Sequence, residues 1–382
     1  MKGLNFNQVV DRKSSSSMKW DRYKGQDVLP MWVADSDFKV ADEIVAALKA
    51  RADHGIFGYT LVPDTLKQLI VDRMASLYDW QIEASSIVFI PGLVCGLNVA
   101  ARAYSTPGTK VAIPTPIYPP FVSSVKNAEA NACFVPFTEQ DGRWMLDWAA
   151  LDALGDELDL IMLCNPQNPG GTVFRQEELE RLADMAERYD WVICSDEIHC
   201  DLILDDVPHI PFASLSAESA KRCCTLMAPS KTWNIAGLGC SFAIIEDPTL
   251  RAKFKRVSQG IVPEVNLMAI EAAVAAYQHG ESWLAEQISY LRENRDYIEQ
   301  QVTEIKGLSM LHLEATYLAW IDASELGLES PAKYFESYGV GMSPGADFGK
   351  DQFIRLNFGC QKSLLEEAFQ RIRQAISELS EK

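Results

Sequence analysis

The sequence predicts an α/β protein, a large domain with a mostly parallel seven-stranded sheet between helices, joined by a long helix to a smaller α+β domain. Three observations predict it. Seven short apolar runs recur between residues 87 and 245, helical stretches separate them, and a long amphipathic pattern begins near residue 280. The runs are continuously apolar and do not alternate, which suits strands covered on both faces.

Taken in chain order, the first forty residues read as an irregular arm: a polar run at Ser14 to Ser17, then Trp20, Asp21 and Arg22. From about Ile44 helices and strands begin. The expected strands are Ile87–Ile90, Val111–Ile113, Ala132–Phe137, Leu160–Cys164, Trp191–Ser195, Cys224–Ala228 and Phe242–Ile245. A helix is expected from near Val94. Gly280 can stop a helix at Gln278 or His279. Leu284, Ile288, Leu291, Ile298, Val302 and Ile305 then keep helical spacing, which gives one helix of about six turns ending before Gly307. Leu311–Ile321 reads as strand. Ser330-Pro331 opens a helix, with proline at the first helical position. Phe353–Phe358 reads as strand. Ser363-Leu-Leu-Glu366 is a capping box, and Leu365, Phe369, Ile372, Ile376 and Leu379 form the buried stripe of the last helix. The expected division is a large domain over 46–280 and a small one from 1–45 and 281–382.

Composition narrows the function. With 382 residues, 35 Lys plus Arg and 53 Asp plus Glu, the net charge is −18. Such a chain repels phosphate backbones and anionic lipid, so neither nucleic acid nor membrane is an expected partner. No run of about 18 apolar residues is present to span a bilayer. The start, Met1 to Lys13, is polar and carries no apolar signal core. Nine cysteines without a CxxC pair predict reduced thiols in a cytoplasmic protein, and no His or Cys spacing predicts a metal site.

Gly341-Met-Ser343-Pro-Gly345 matches the G-x-S-x-G pattern of a nucleophile elbow. That elbow needs the backbone N–H after the serine, and Pro344 has none. A plain turn is the expected reading.

Four sites remain, each just after an expected strand, where ligands of open α/β sheets bind. Asn165-Pro-Gln-Asn168-Pro-Gly-Gly171 is a sharp loop, which alone reads as a turn. Asp196, in Ser195-Asp-Glu-Ile-His199, is an acid at a buried strand end, costly unless paired, and alone it reads equally as a helix N-cap. Lys231, in Ala228-Pro-Ser230-Lys-Thr-Trp-Asn234, is a lysine beside apolar residues, where desolvation frees the amine to form a Schiff base. Pro91-Gly92-Leu93-Val94-Cys95-Gly96 opens a helix with free N–H groups for a phosphate. Together an acid for a ring nitrogen, a Schiff-base lysine, an asparagine donor and a phosphate seat are what pyridoxal 5'-phosphate requires.

The order Asn168-Pro-Gly-Gly, Asp196-Glu-Ile, Ser230-Lys231, Arg355-Leu-Asn357 resembles the aminotransferase-like, fold type I pyridoxal-phosphate enzymes over nearly the whole chain. More narrowly, Met31-Trp32-Val-Ala34-Asp35-Ser-Asp37-Phe38, Phe57-Gly-Tyr59-Thr60 and Ala228-Pro-Ser-Lys-Thr-Trp-Asn-Ile-Ala-Gly237 resemble the bacterial cystathionine β-lyase branch. The resemblance implies that Lys231 carries the cofactor and Asp196 pairs with its pyridine nitrogen. It implies that Asn168 donates to the ring hydroxyl oxygen and that Tyr118 stacks on the ring face. Leu93 and Val94, by their backbone, and Ser230 would bind the phosphate. Tyr59 would reach the phosphate of the partner subunit, so the expected assembly is a homodimer with shared active sites. Arg355 would clamp the α-carboxylate of an amino-acid substrate, with Trp32 and Ala34 on the substrate side. Two positions depart from many relatives: His199 stands where a tyrosine is common, and Gly239 where an arginine is. The histidine resembles the lyase branch, and the missing arginine removes one phosphate charge.

The implied reaction is carbon–sulfur β-elimination from cystathionine or a related cysteine conjugate, giving thiol, pyruvate and ammonia. Transamination with a 2-oxo acid uses the same residues and stays open, as does a cofactor-binding protein acting mainly as an interaction partner.

Overall fold

A computed structural model describes residues 5–380. The first four residues of the polar N-terminal stretch lie outside the described residues. Twelve strands form in chain order: β1 Leu29–Met31, β2 Ile87–Ile90, β3 Lys110–Thr115, β4 Asn131–Gln140, β5 Arg143–Leu146, β6 Leu158–Cys164, β7 Val192–Asp196, β8 Cys223–Met227, β9 Ser241–Ile244, β10 Leu318–Asp322, β11 Val340–Pro344 and β12 Phe353–Asn357.

The large sheet runs β2-β9-β8-β7-β6-β3-β4-β5. All seven expected strands are in it, and β4, β3, β6, β7 and β8 pair in parallel. The sheet has eight strands and not seven. Arg143–Leu146 turns back at Asp141-Gly142, both at positive φ, to pair antiparallel with β4. Its apolar run, Trp144-Met145-Leu146, is only three residues long, too short to read as a strand of its own. Apolar clusters cover both faces, one built around Ile161, Phe174 and Phe242, the other around Ile113, Leu160 and Phe121. Double coverage is why the strands are continuously apolar.

The second sheet runs β1-β11-β12-β10. The arm is less irregular than expected. Met18–Asp21 is a helical turn, and β1 pairs in parallel with β11, Leu29 opposite Val340. The helix Glu281–Glu304 forms as expected, after a helix that ends at His279. Three expectations need correction. The expected strand Leu311–Ile321 is regular only from Leu318, in β10 Leu318–Asp322, because Thr316 sits at φ +73° and breaks the extended run. Ser363 lies inside the last helix, Lys362–Ser380, whose first turn bonds back to the Gln361 carbonyl, so it does not cap it. Gly341 to Gly345 is not a turn either: Ser343 lies in β11, opposite Arg355. The expected boundary at residue 46 falls within the helix Asp42–His54.

Among the described residues no helix is long and apolar enough to cross a membrane, and all nine cysteines are free thiols, seven of them buried.

Candidate active site

The parallel strands end at one edge, and their chain continuations line a cavity of about 430 Å³, a size suited to a small ligand. Strands β6 and β7 end side by side, Cys164 opposite Asp196. Asp196 thus enters the cavity from the last position of its strand. Its carboxylate accepts from the Ile198 N–H at 3.1 Å and is otherwise buried. Burial pushes its pKa up to about 7, and the neighbouring Glu197 adds to this.

Strand β8 runs into Ala228-Pro229-Ser230-Lys231. Pro229 starts a four-residue helical turn that points Lys231 back into the cavity. The Lys231 amine donates to the Ala34 carbonyl. Burial, reinforced by Arg355, lowers its pKa to about 8. Asp196 and Lys231 therefore face one cavity and act on each other electrostatically.

Arg355 comes from the second sheet, at the centre of β12 between Trp320 and Ser343. It is 4% exposed. Its guanidinium donates to Asn168 Oδ1 at 3.0 Å, to the Trp32 carbonyl at 3.0 Å and to Ser343 Oγ at 3.4 Å, and it lies over the Phe348 ring at 4.5 Å. Its Nε is buried without a partner. No carboxylate pairs with it among the described residues, and burial lowers its pKa to about 10. A buried cation without a counter-ion is costly unless an anion joins it. Because Asn168 spends its oxygen on Arg355, its amide NH2 is left to donate into the cavity.

The helix Leu93–Tyr104 begins at the cavity without a side-chain cap. Its first N–H groups, those of Leu93 and Val94 included, have no helical acceptor and carry the positive end of the helix dipole. Ser230 lies beside them on the cavity wall. Gly239 stands at φ +76°, and a Cβ there would come within 2.8 Å of the Pro91 carbonyl oxygen. A side chain at that position would strain this backbone and push against the Pro91 carbonyl.

Tyr118 and His199 also line the cavity. His199 is buried, its Nδ1 has no partner, and burial pulls its pKa down to about 3, so the ring is neutral at pH 7. Trp32 and Ala34 contribute wall and carbonyls. Tyr59 alone of the expected residues stays away from the cavity. It is 112% exposed on 55–63, a segment without secondary structure that also exposes Ile56, Phe57 and Leu61.

Sequence reasoning missed four contributors: Ser343, Phe348, Tyr317 and Asp347. Ser343 and Tyr317 fix the arm by donating to the carbonyls of Trp32 and Ala34 at 3.0 and 3.1 Å. Only the G-x-S-x-G match pointed at any of them, and it pointed to the wrong chemistry. The residues present fit a phosphorylated pyridine aldehyde: a helix start for the phosphate, an acid for the ring nitrogen, an amine for the aldehyde, and an unpaired cation for a substrate carboxylate.

The family model for class I and II aminotransferases matches residues 27–372. Cystathionine beta-lyase PatB of Bacillus subtilis is 38% identical, with 98% of this chain and 100% of that protein covered. Among solved structures, that of OvoB superposes with a TM-score of 0.96 at 48% identity, covering 98% and 99% of the two chains. Cystalysin from Treponema denticola, whose structure contains pyridoxal 5'-phosphate, gives a TM-score of 0.93 at 29% identity over 98% and 99%.

Proposed function

Because the chain belongs to the class I and II aminotransferase family, we propose that it is a carbon–sulfur β-lyase of the cystathionine β-lyase branch. It uses pyridoxal 5'-phosphate and cleaves cystathionine or related cysteine S-conjugates, with water, to a thiol, pyruvate and ammonia. The observation that carries this reading is the convergence on one cavity of Lys231, Asp196 and Arg355, whose guanidinium makes no salt bridge among the described residues.

When bound, pyridoxal phosphate supplies an electron sink for charge developing at the substrate α-carbon. Lys231 would hold it through its amine, and Asp196 would hold a proton on its ring nitrogen. Asn168 would donate to its hydroxyl oxygen, and Tyr118 and His199 would flank the ring. The N–H groups of Leu93 and Val94 with the Ser230 hydroxyl would hold its phosphate.

Arg355 orients the substrate by pairing with its α-carboxylate, a charge-assisted contact that fixes which α-bond faces the lysine. Lys231 Nζ then takes the α-proton, and a pKa of about 8 keeps a useful neutral fraction of the amine at pH 7. Departure of the thiolate breaks the β C–S bond. Trp32 and Ala34 bound the space where that group leaves.

Further, we propose a cytoplasmic homodimer in which Tyr59 reaches the phosphate of the partner subunit. Exposed Ile56, Phe57 and Leu61 beside it support this, since contiguous exposed apolar side chains mark interaction surfaces.

Incubation with L-cystathionine, with and without a 2-oxo acid, tests the reaction. Thiol and pyruvate release without the acceptor is the expected result, and turnover only with it assigns an aminotransferase instead. Lys231→Ala is expected to abolish both turnover and the visible absorbance of bound cofactor.

A further inference from the structure

Two acids line the cavity, Asp196 and Asp347. The first is committed to the cofactor. The second has no assigned work. Asp347 sits on the short turn Gly345–Phe348, immediately after β11. It is exposed, and no hydrogen bond or ion pair engages it among the described residues. The next residue, Phe348, carries the Arg355 guanidinium on its ring, and Asp347 is near enough to act on that guanidinium electrostatically. A substrate anchored by its α-carboxylate at Arg355 would therefore have a free carboxylate close by. Met18 and Trp32 share that cavity wall, with the Arg22 guanidinium over the Trp32 ring at 4.5 Å, and Asp347 is the one acid among the cavity residues left uncommitted.

We propose that Asp347 is a specificity residue, and that this lyase prefers cysteine thioethers whose sulfur substituent carries a protonated nitrogen. The inference rests on the lyase reading above. A fixed carboxylate attracts an ammonium and repels a second carboxylate, so it discriminates by charge and not by shape.

The test compares the holoenzyme on S-(2-aminoethyl)-L-cysteine and S-propyl-L-cysteine, which differ by a protonated nitrogen in place of a methyl group. S-(carboxymethyl)-L-cysteine is the anionic control. The amine is expected to be favoured about fivefold in kcat/KM, the scale of a partly exposed ion pair. Asp347→Asn should bring that ratio close to one, and Asp347→Lys should invert it in favour of the anion. In the wild type alone, the preference should shrink as salt is raised from low ionic strength to about 0.5 M, which keeps the test open should a variant fold poorly. A wild-type ratio near one, or a ratio unchanged in Asp347→Asn, overturns the inference while the lyase assignment stands. Release of thiol and pyruvate from none of the thioethers, with L-cystathionine still cleaved, overturns this inference alone, and release from L-cystathionine failing as well overturns the lyase assignment and this inference with it.

Discussion

Burial acts in opposite directions on two groups that share one cavity. It makes the Asp196 carboxyl a weaker acid, near 7, and the Lys231 ammonium a stronger one, near 8. Each shift disfavours the charged form, so each is a cost to the cofactor-free fold that a bound pyridinium and an imine can remove. For Asp196 the folded pKa lies above the ordinary carboxyl value of 3.8. Between about 4 and 7 the folded state then holds more protons than the unfolded one, and stability falls as pH rises. Cofactor-free wild type is therefore expected to lose stability relative to Asp196→Asn over that window, measured by thermal unfolding at stepped pH. Parallel curves would contradict the shift. Arg355 makes a second prediction. Removing its guanidinium as Arg355→Ala should lower kcat/KM by roughly 10- to 100-fold, the scale of a hydrogen bond to a charged group. Arg355→Lys should recover only part, because lysine lacks the planar fork.

At the level of elements, the site is held by struts between segments distant in sequence. Asn234, at φ +55°, donates to the carbonyls of Ser36 and Phe38 at 3.0 and 2.9 Å and accepts from the Ser36 N–H. Asn357 donates to the carbonyls of Val33 and Asp35. The arm is thus tied to the lysine loop on one side and to the arginine strand on the other. Beneath it, Asp37 pairs with Lys19 and Arg12, both at 2.6 Å, and accepts from Trp20 at 2.8 Å. Burial raises the Asp37 pKa, yet these cations and donors outweigh it and leave the net value lowered. Its stabilisation is then present above the ordinary carboxyl range and is lost as pH falls through the lowered pKa. Asp37→Ala leaves Lys19 buried and is expected to cost about 3 kcal/mol, read by urea unfolding. Much of this scale was legible in the sequence. Each of Asp196, Lys231 and Asn168 has an ordinary structural reading when taken alone, and they could be named because the set after successive strands, with its family resemblance, fits one cofactor. Ser343, Phe348 and Tyr317 could not, because their contacts depend on which distant segments meet. The over-long strand at Leu311–Ile321 failed for a local reason, since Thr316 takes a conformation that apolar patterning does not register.

The whole molecule is a covered mixed sheet with a second sheet completed by its own N-terminal arm, and among the described residues its surface gathers four exposed large apolar or aromatic side chains at 55–63, Ile56, Phe57, Tyr59 and Leu61. If that segment docks on a second copy, Leu61→Asp should shift the protein toward monomer in sedimentation velocity and reduce lyase activity together. Monomer with full activity would show that each chain completes its own site. The pairing of β1 with β11 also sets a schedule for synthesis. Leu29 must wait for Val340, and at roughly 5–20 residues per second a ribosome needs about 15–60 s to deliver it. For the last part of that interval, once Lys231 has been made, the polypeptide carries its lysine and aspartate but no finished roof over them, and Arg355 follows only after Val340.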